Sequence, residues 1–342
     1  MLTFVLRRLL AVPLVMFAVT LLIVTLMQFL SPEERAASFI TNEQQLRNLP
    51  LIVRENGLDQ PFYVQYANWL KNAAQGNLGY SRASSRPVLD TIRERFPATV
   101  ELALFAAIPI IGIGIWLGTA AGLHKDKLID QLSRVLAVIG YSLPTFVLGI
   151  WLLVIFYGGL GILPGFGQLS NESTIAMLTS GMKRYTGLLT LDALLNGQFR
   201  IFWDAITHLI LPTITLATIS SATILKVMRS SLIEVLRQDY VRTARSKGLT
   251  TKVVNVKHAR RNALLPVATL AGFTIVGLLN GVIITETIFA YPGIGSWGAR
   301  AATILDYPGV LGFAVFNAFL VVVANIVVDI AYGLIDPRVR FD

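Results

Sequence analysis

DYVRTARSKGLTTKVVNVKHARRNALLP, residues 239–266, sets a dense run of positive charge between two long apolar segments. Its meaning depends on what flanks it. The chain has 342 residues, 54% hydrophobic and 14% charged, with a formal net charge of +9, and its mean hydropathy is +0.64. That is too apolar and too poor in charge for an ordinary water-soluble domain. A bilayer core about 30 Å thick needs about 20 predominantly apolar residues in one helix. About six such runs occur, at residues 9–30, 99–123, 135–160, 208–228, 263–290 and 310–332. The runs are continuous, whereas a transmembrane barrel would alternate in short segments. The expected fold class is an all-α membrane protein.

The first run follows Arg7 and Arg8. It is too long for a signal-peptide core, contains Pro13, and leads into SPEERAAS, a poor cleavage signal, so an uncleaved anchor is expected.

Alternate loops are rich in Lys and Arg. Arg7 and Arg8 precede the first run, Lys125, Lys127 and Arg134 follow the second, and Arg338 and Arg340 follow the sixth. The interval 226–261 carries Lys226, Arg229, Arg237, Arg242, Arg245, Lys247, Lys252, Lys257, Arg260 and Arg261 against Glu234 and Asp239. The positive-inside rule places these loops and both termini in the cytoplasm. The other side receives residues 31–97, about 161–207 and 291–308. In the first of these, Phe62, Tyr66, Trp69 and Leu70 recur at helical spacing and predict a short amphipathic helix outside the membrane or against it. There is no cysteine to brace these segments.

A charge run beside a span can simply fix topology or attract anionic lipid. Residues 239–266 have more internal order than either use requires. Asp239 can cap a helix over YVRTARSK, and Gly248 falls where a helix ends in the left-handed conformation. Thr250 or Thr251 can cap a second helix holding Val253, Val254, Lys257 and Arg260. Pro266 then falls in the first turn of the re-entering span. Small Ala244 beside the glycine elbow would let another surface approach closely. The expectation is a shaped docking projection.

Thr243-Ala244, three residues, Gly248 and a later Leu265-Pro266 resemble the EAA loop of ABC importer permease subunits, which fits a groove on the ATP-hydrolysing subunit. Arg242 and Thr243 replace the usual Glu-Ala, and Gly248 lies farther from Pro266 than in the general pattern. The longer spacing is similar to the dipeptide, oligopeptide and nickel branch (DppB/OppB type). So are LRRLLAVP, GLDQPFYVQY, GNLGYS, PATVELALFA, ETIFAYPGIG and IDPRVR, which occur in this order along the chain.

The resemblance implies a type I importer permease fold of about six helices. Residues 1–96 would form an N-terminal helix and outer-loop region, and 97–333 the permease domain with a cytoplasmic coupling loop at 229–262. Residues 334–342 would be a cytoplasmic tail. It implies contact with the ATPase through Tyr240, Arg242, Thr243, Ala244, Arg245, Lys247 and Gly248. The implied partners are a second homologous permease subunit, two ATP-binding subunits, an extracytoplasmic binding protein and the lipid bilayer of a bacterial or archaeal inner membrane. ATP and Mg would be held by the ATPase subunits and no cofactor by this chain. Peptides are the cargo the branch suggests, with nickel chelates, glutathione and oligosaccharides as alternatives.

Other chemistry finds little support in the sequence. There is no GxxxxGK[ST] phosphate cradle, no HExxH and no GxSxG elbow. His124, His208 and His258 are scattered, which argues against a metal site, and the basic stretch lacks the interleaved aromatics of a nucleic-acid groove. Ionisable and polar groups in or near spans need a reason. Glu101, Asn280, Glu286, Pro292 and Gly293 are candidates for the translocation path or gate. The carboxylates near span ends can instead meet water or a neighbouring helix N-terminus, and Asn280 and Asn317 can bond between helices. Asp329 lies deeper, in the sixth run. A gradient-driven secondary transporter, the rival reading, would favour midplane carboxylates and matching broken helices.

Overall fold

Leu2–Met27 (α1) opens the chain as one apolar helix with Pro13 inside it. The computed structural model describes residues 2–37, 48–279 and 282–335, with side chains over 13–36, 48–279 and 282–327. Arg7, Arg8, Asn280, Asp329, Arg338 and Arg340 therefore fall outside the described side chains.

SPEERAAS begins a helix. Pro32–Ala37 (α2) starts with Ser31 at its cap: the Ser31 backbone N–H donates to Glu34 Oε2 at 2.7 Å and Glu34 N–H donates to Ser31 Oγ at 3.2 Å, a reciprocal capping box. Hydrogen bonds to the Glu34 carboxyl from the Ser31 backbone N–H first and its hydroxyl second hold that carboxyl below its usual range. Leu49–Glu55 (α3) packs with α2 through Ala36, Ile52, Val53 and Leu58. The expected amphipathic helix is Phe62–Ala74 (α4). It lies against α1: Tyr66 packs with Val24, and the Thr20 and Tyr66 hydroxyls are 2.8 Å apart.

Tyr80–Ser81 (β1) and Arg86–Pro87 (β2) form a two-stranded antiparallel hairpin. It leads into Val88–Leu123 (α5), whose 36 residues reach about 54 Å, longer than a bilayer core. Leu128–Ser142 (α6) and Thr145–Leu152 (α7), the latter continuing as a wide π-type turn over Leu153–Gly159, follow. Asn171–Thr179 (α8) and Leu189–Leu195 (α9) lie within residues 161–207. Phe199–Val235 (α10) is the longest helix, and Asp239–Ser246 (α11) follows it closely. Thr251–Leu279 (α12) is one continuous helix, widened at Val254–Arg260. Ile283–Ile288 (α13), Ile294–Thr303 (α14) and Tyr307–Ile335 (α15) complete the chain.

Helices α5, α10, α12 and α15 are long and apolar enough to cross a bilayer unbroken. The run at 135–160 was expected to be a single span, but α6 and α7 meet at a bend of 98°. Pro144 has no N–H to continue the ladder, and it drives Leu143 into extended backbone at φ −81°, ψ 123°. Six crossings result only if α1 and this bent pair each cross. The fifth run also differs from expectation. Its helix starts at Thr251 and is described as far as Leu279, so Pro266 is interior to it rather than in its first turn.

The described residues divide into two compact units. One joins the residues up to Thr99 with Pro292–Ile326; the other joins Val100–Tyr291 with the residues from Val327. In the first, Ala83, Val88, Ile92, Ile294, Trp297 and Ala301 form a core. Beneath it Asp306, fully buried, accepts from Ser81 Oγ at 2.5 Å and Ala83 N–H at 3.0 Å, while Trp297 Nε1 donates to Ser81 Oγ at 3.0 Å. In the second unit α10 is the central element, and α6, α9 and α12 pack against it.

Candidate coupling element and path residues

Helix α11 stands on an apolar foot. Val241 and Ala244, three residues apart and so on one face, pack with Val254, Val235 and Leu236. This corrects the expected role of Ala244: it is 6% exposed and faces its own chain. Its small side chain lets α11 sit close to the body and leaves no surface for a partner there. Tyr240, Arg242, Thr243, Arg245 and Lys247 are exposed and form the outward surface. Asp239 does not cap the helix. Gln238 holds the cap position without a side-chain bond, and Asp239 lies in the first turn, 3.5 Å from Arg242, where a negative charge suits the helix dipole.

Gly248 ends α11 at φ +77°. Its N–H donates to Arg245 O at 3.0 Å and the Leu249 N–H to Ala244 O at 3.4 Å. These are the two bonds of a Schellman cap. Thr250 then takes the cap position of α12, again without a side-chain bond. The Asn262 amide donates to the Tyr240 hydroxyl at 2.9 Å, tying α11 sideways to α12. The segment is therefore a short cationic helix, clamped beneath, ended sharply and tethered at one side.

The path candidates are not brought together. Glu101 is 2% exposed, and all its bonds are internal. Its Oε1 accepts from Thr190 N–H at 2.6 Å and Thr190 Oγ1 at 2.7 Å, in the first turn of α9; its Oε2 accepts from Tyr291 Oη at 3.1 Å and Gln168 Nε2 at 3.3 Å. The carboxylate fastens Gln168, α9 and Tyr291 to α5. Glu286 is fully buried on α13. Gly293 caps α14, whose Ile294 N–H donates to Thr99 Oγ1 at 2.8 Å, and Pro292 is half-buried beside it. Residues of PATVELALFA and AYPGIG thus meet in pairs, Thr99 with Ile294 and Glu101 with Tyr291. Asn317 does not bond between helices: its amide donates to Phe313 O, one turn back on α15.

Three features escaped the sequence reading. Gly114, Gly118 and Gly122 recur every fourth residue on α5, and a Cβ on each would fall 2.7 to 3.0 Å from atoms of α10 between Ile224 and Leu232. This is small-residue helix packing, visible in GIGIWLGTAAG as spacing alone. Asp130 at the start of α6 is fully buried against Arg229 of α10. An open groove of about 550 Å³ lies between α6 and α10, with Arg134, Tyr141, Ser142, Thr223 and Lys226 among its lining.

Residues 110–341 match the family described as binding-protein-dependent transport system inner membrane component, and residues 1–103 match the N-terminal part described for such membrane components. The chain is 42% identical over 288 residues to a probable D,D-dipeptide transport system permease protein of Escherichia coli K12, covering 84% of this chain and 83% of that protein. It is 40% identical to a di/tripeptide transport system permease protein of Pseudomonas aeruginosa, covering 99% of each. A dipeptide transport system permease protein of Alkalihalophilus pseudofirmus is 37% identical over the full length of both. With long apolar helices, a clamped basic helix after the longest of them, and these matches across its whole length, the chain belongs to the binding-protein-dependent transport family of multi-pass inner-membrane permease subunits.

Proposed function

We propose that this chain forms half of the path of an ATP-driven importer of di- or oligopeptides. A second permease subunit supplies the other half, and two partner subunits bind ATP and Mg. An extracytoplasmic binding protein delivers the cargo to the outer segments. The observation that carries this reading is α11, a rigid cationic projection at the end of a span. Such a shape suits a mobile acidic partner groove, and its charges steer docking. The relatives named for dipeptide transport support the choice of cargo. The open groove between α6 and α10 is the surface we assign to the path, because Glu101 and Glu286 are sealed by their own chain. The chain's own chemistry stops at binding and movement, with hydrolysis on the partners.

The test is reconstitution with the companion permease, ATPase subunits and binding protein. A radiolabelled dipeptide should accumulate on ATP with proton and sodium gradients collapsed, and the chain alone should move none. Gradient-driven uptake by the chain alone would replace this reading with a secondary transporter.

The orientation follows from the alternating basic loops, with α11 and both termini in the cytoplasm. Single cysteines introduced at Asn171 and Lys252 report it directly, because the chain has none of its own. An impermeant thiol reagent should label position 171 from the extracytoplasmic side and spare position 252 until the membrane is opened. The reverse pattern would invert the assignment.

A further inference from the structure

Arg229 lies on α10 ten residues before α11 begins. Its guanidinium grips Asp130 in a fork, with Nε 2.5 Å from Oδ1 and Nη2 2.7 Å from Oδ2. The Asp126 backbone N–H adds a bond to Oδ2 at 2.9 Å, and Arg134 Nε stands 3.8 Å from Oδ1. Asp130 is fully buried. A buried ion pair contributes little to stability that apolar residues could not match. The fork does fix direction as well as distance, which apolar contact does not.

The surroundings give that direction a use. A Cβ on Gly122 would lie 3.3 Å from the Arg229 carbonyl, so the end of α5 abuts α10 at the same level. Farther along α6, a Cβ on Gly140 would lie 2.7 Å from the Thr218 carbonyl, so α6 runs against α10 for most of its length. Beyond Arg229, α10 runs to Val235, which with the cap residue Leu236 forms the surface on which α11 rests. One stiff element therefore joins the Asp130 grip to the coupling helix.

We propose that Asp130 and Arg229 are the positioning pair that makes α6, and through it the bent span, follow α11 when the ATPase subunits move. This rests on the coupling role assigned to α11. Glycine contacts alone let two helices slide; the fork prevents α6 from slipping along α10. A static brace would lower yield or melting temperature when removed, but it would not make the separation of α6 from α11 depend on nucleotide.

The experiment uses the assembled complex in lipid nanodiscs, with nitroxides on single cysteines at Ser246 and Leu136, both exposed and outside the ATPase-contact set and the groove lining. Distances are measured by double electron–electron resonance, without nucleotide and with ATP plus vanadate. In the parent protein the 136–246 distance should change by less than about 2 Å between the two states, the scale of small helix shifts. In Asp130→Asn/Arg229→Gln, which removes both charges together, it should move with nucleotide by about one helical turn, ~5 Å. An unchanged distance in that variant overturns the proposal.

Where the neutral pair fails to accumulate, the exchanged pair Asp130→Arg/Arg229→Asp decides, with Arg134→Gln removing the neighbouring like charge. It should hold the parent distance in both states, and a nucleotide-dependent separation there also overturns the proposal. Protection of a cysteine at position 247 from a thiol reagent by the ATPase subunits tests the coupling role separately. Its absence would remove that role whatever the distances show.

Discussion

Gly248→Val should leave the chain in the membrane and cut ATP hydrolysis stimulated by loaded binding protein about ten-fold. A Cβ at this position meets no atom within 4 Å, so crowding plays no part. The effect comes from the backbone: φ is +77°, and a left-handed conformation costs an L-residue roughly 1–2 kcal/mol, more when it is β-branched. About 1.4 kcal/mol changes a population ten-fold. Relief of the strain would undo the bonds from Gly248 and Leu249 back to α11, and α11 would lose its fixed end. Gly248→Asn is the control, since asparagine tolerates the left-handed region and should keep most of the stimulation. Equal stimulated turnover in the valine variant and its parent would reduce residues 239–248 to a topology signal.

Gly118→Leu should reduce the amount of folded chain in the membrane to below about a tenth. A Cβ there would lie 2.7 Å from both the Leu225 carbonyl and Met228 Cβ. Neither atom is the free end of a flexible side chain, so α5 must move off α10. Overpacking costs typically ~1–3 kcal/mol and occasionally more, and here the displaced partner includes backbone. Gly112→Leu on the same helix is the matched control, because nothing stands within 4 Å of its would-be Cβ and the position is exposed. Immunoblotting of membranes and detergent-resistant melting should separate the two variants. Equal accumulation of both would mean that the glycine ladder is not a packing device.

Much of this architecture is legible in residue order because the bilayer imposes a simple rule: backbone in hydrocarbon must satisfy itself. Continuous apolar runs therefore announce α5, α10, α12 and α15. Gly248 is legible for a different reason, since a glycine after a helical octet has few other uses. Proline was harder to read. Pro212 and Pro266 lie inside unbroken helices, whereas Pro144 separates α6 from α7. The ring removes the same donor each time, and the outcome depends on packing that no local window contains.

The small size of Ala244 suggests an open approach for a partner, but its helical phase places it on the buried face. Val241, one turn earlier, marks the same face as the buried one. The partners of Glu101 lie 67 to 190 residues away in sequence, so no spacing rule reaches them. What a sequence supplies in such a case is only the anomaly, a carboxylate in apolar surroundings, and the answer comes from three separate segments converging on it.

The bond between Ser81 and Asp306 spans 225 residues of chain. A ribosome adds ~5–20 residues per second, so the serine waits on the order of 10 to 50 s for its carboxylate. During that interval the hairpin, the foot of α5 and their apolar side chains are already made, while Trp297 and Phe313, which complete the same core, do not yet exist. The first unit therefore closes only late in synthesis. Its closure requires the segment that begins at Pro292, and a nascent chain halted before residue 292 would carry an open seam where proteases and chaperones can recognise it.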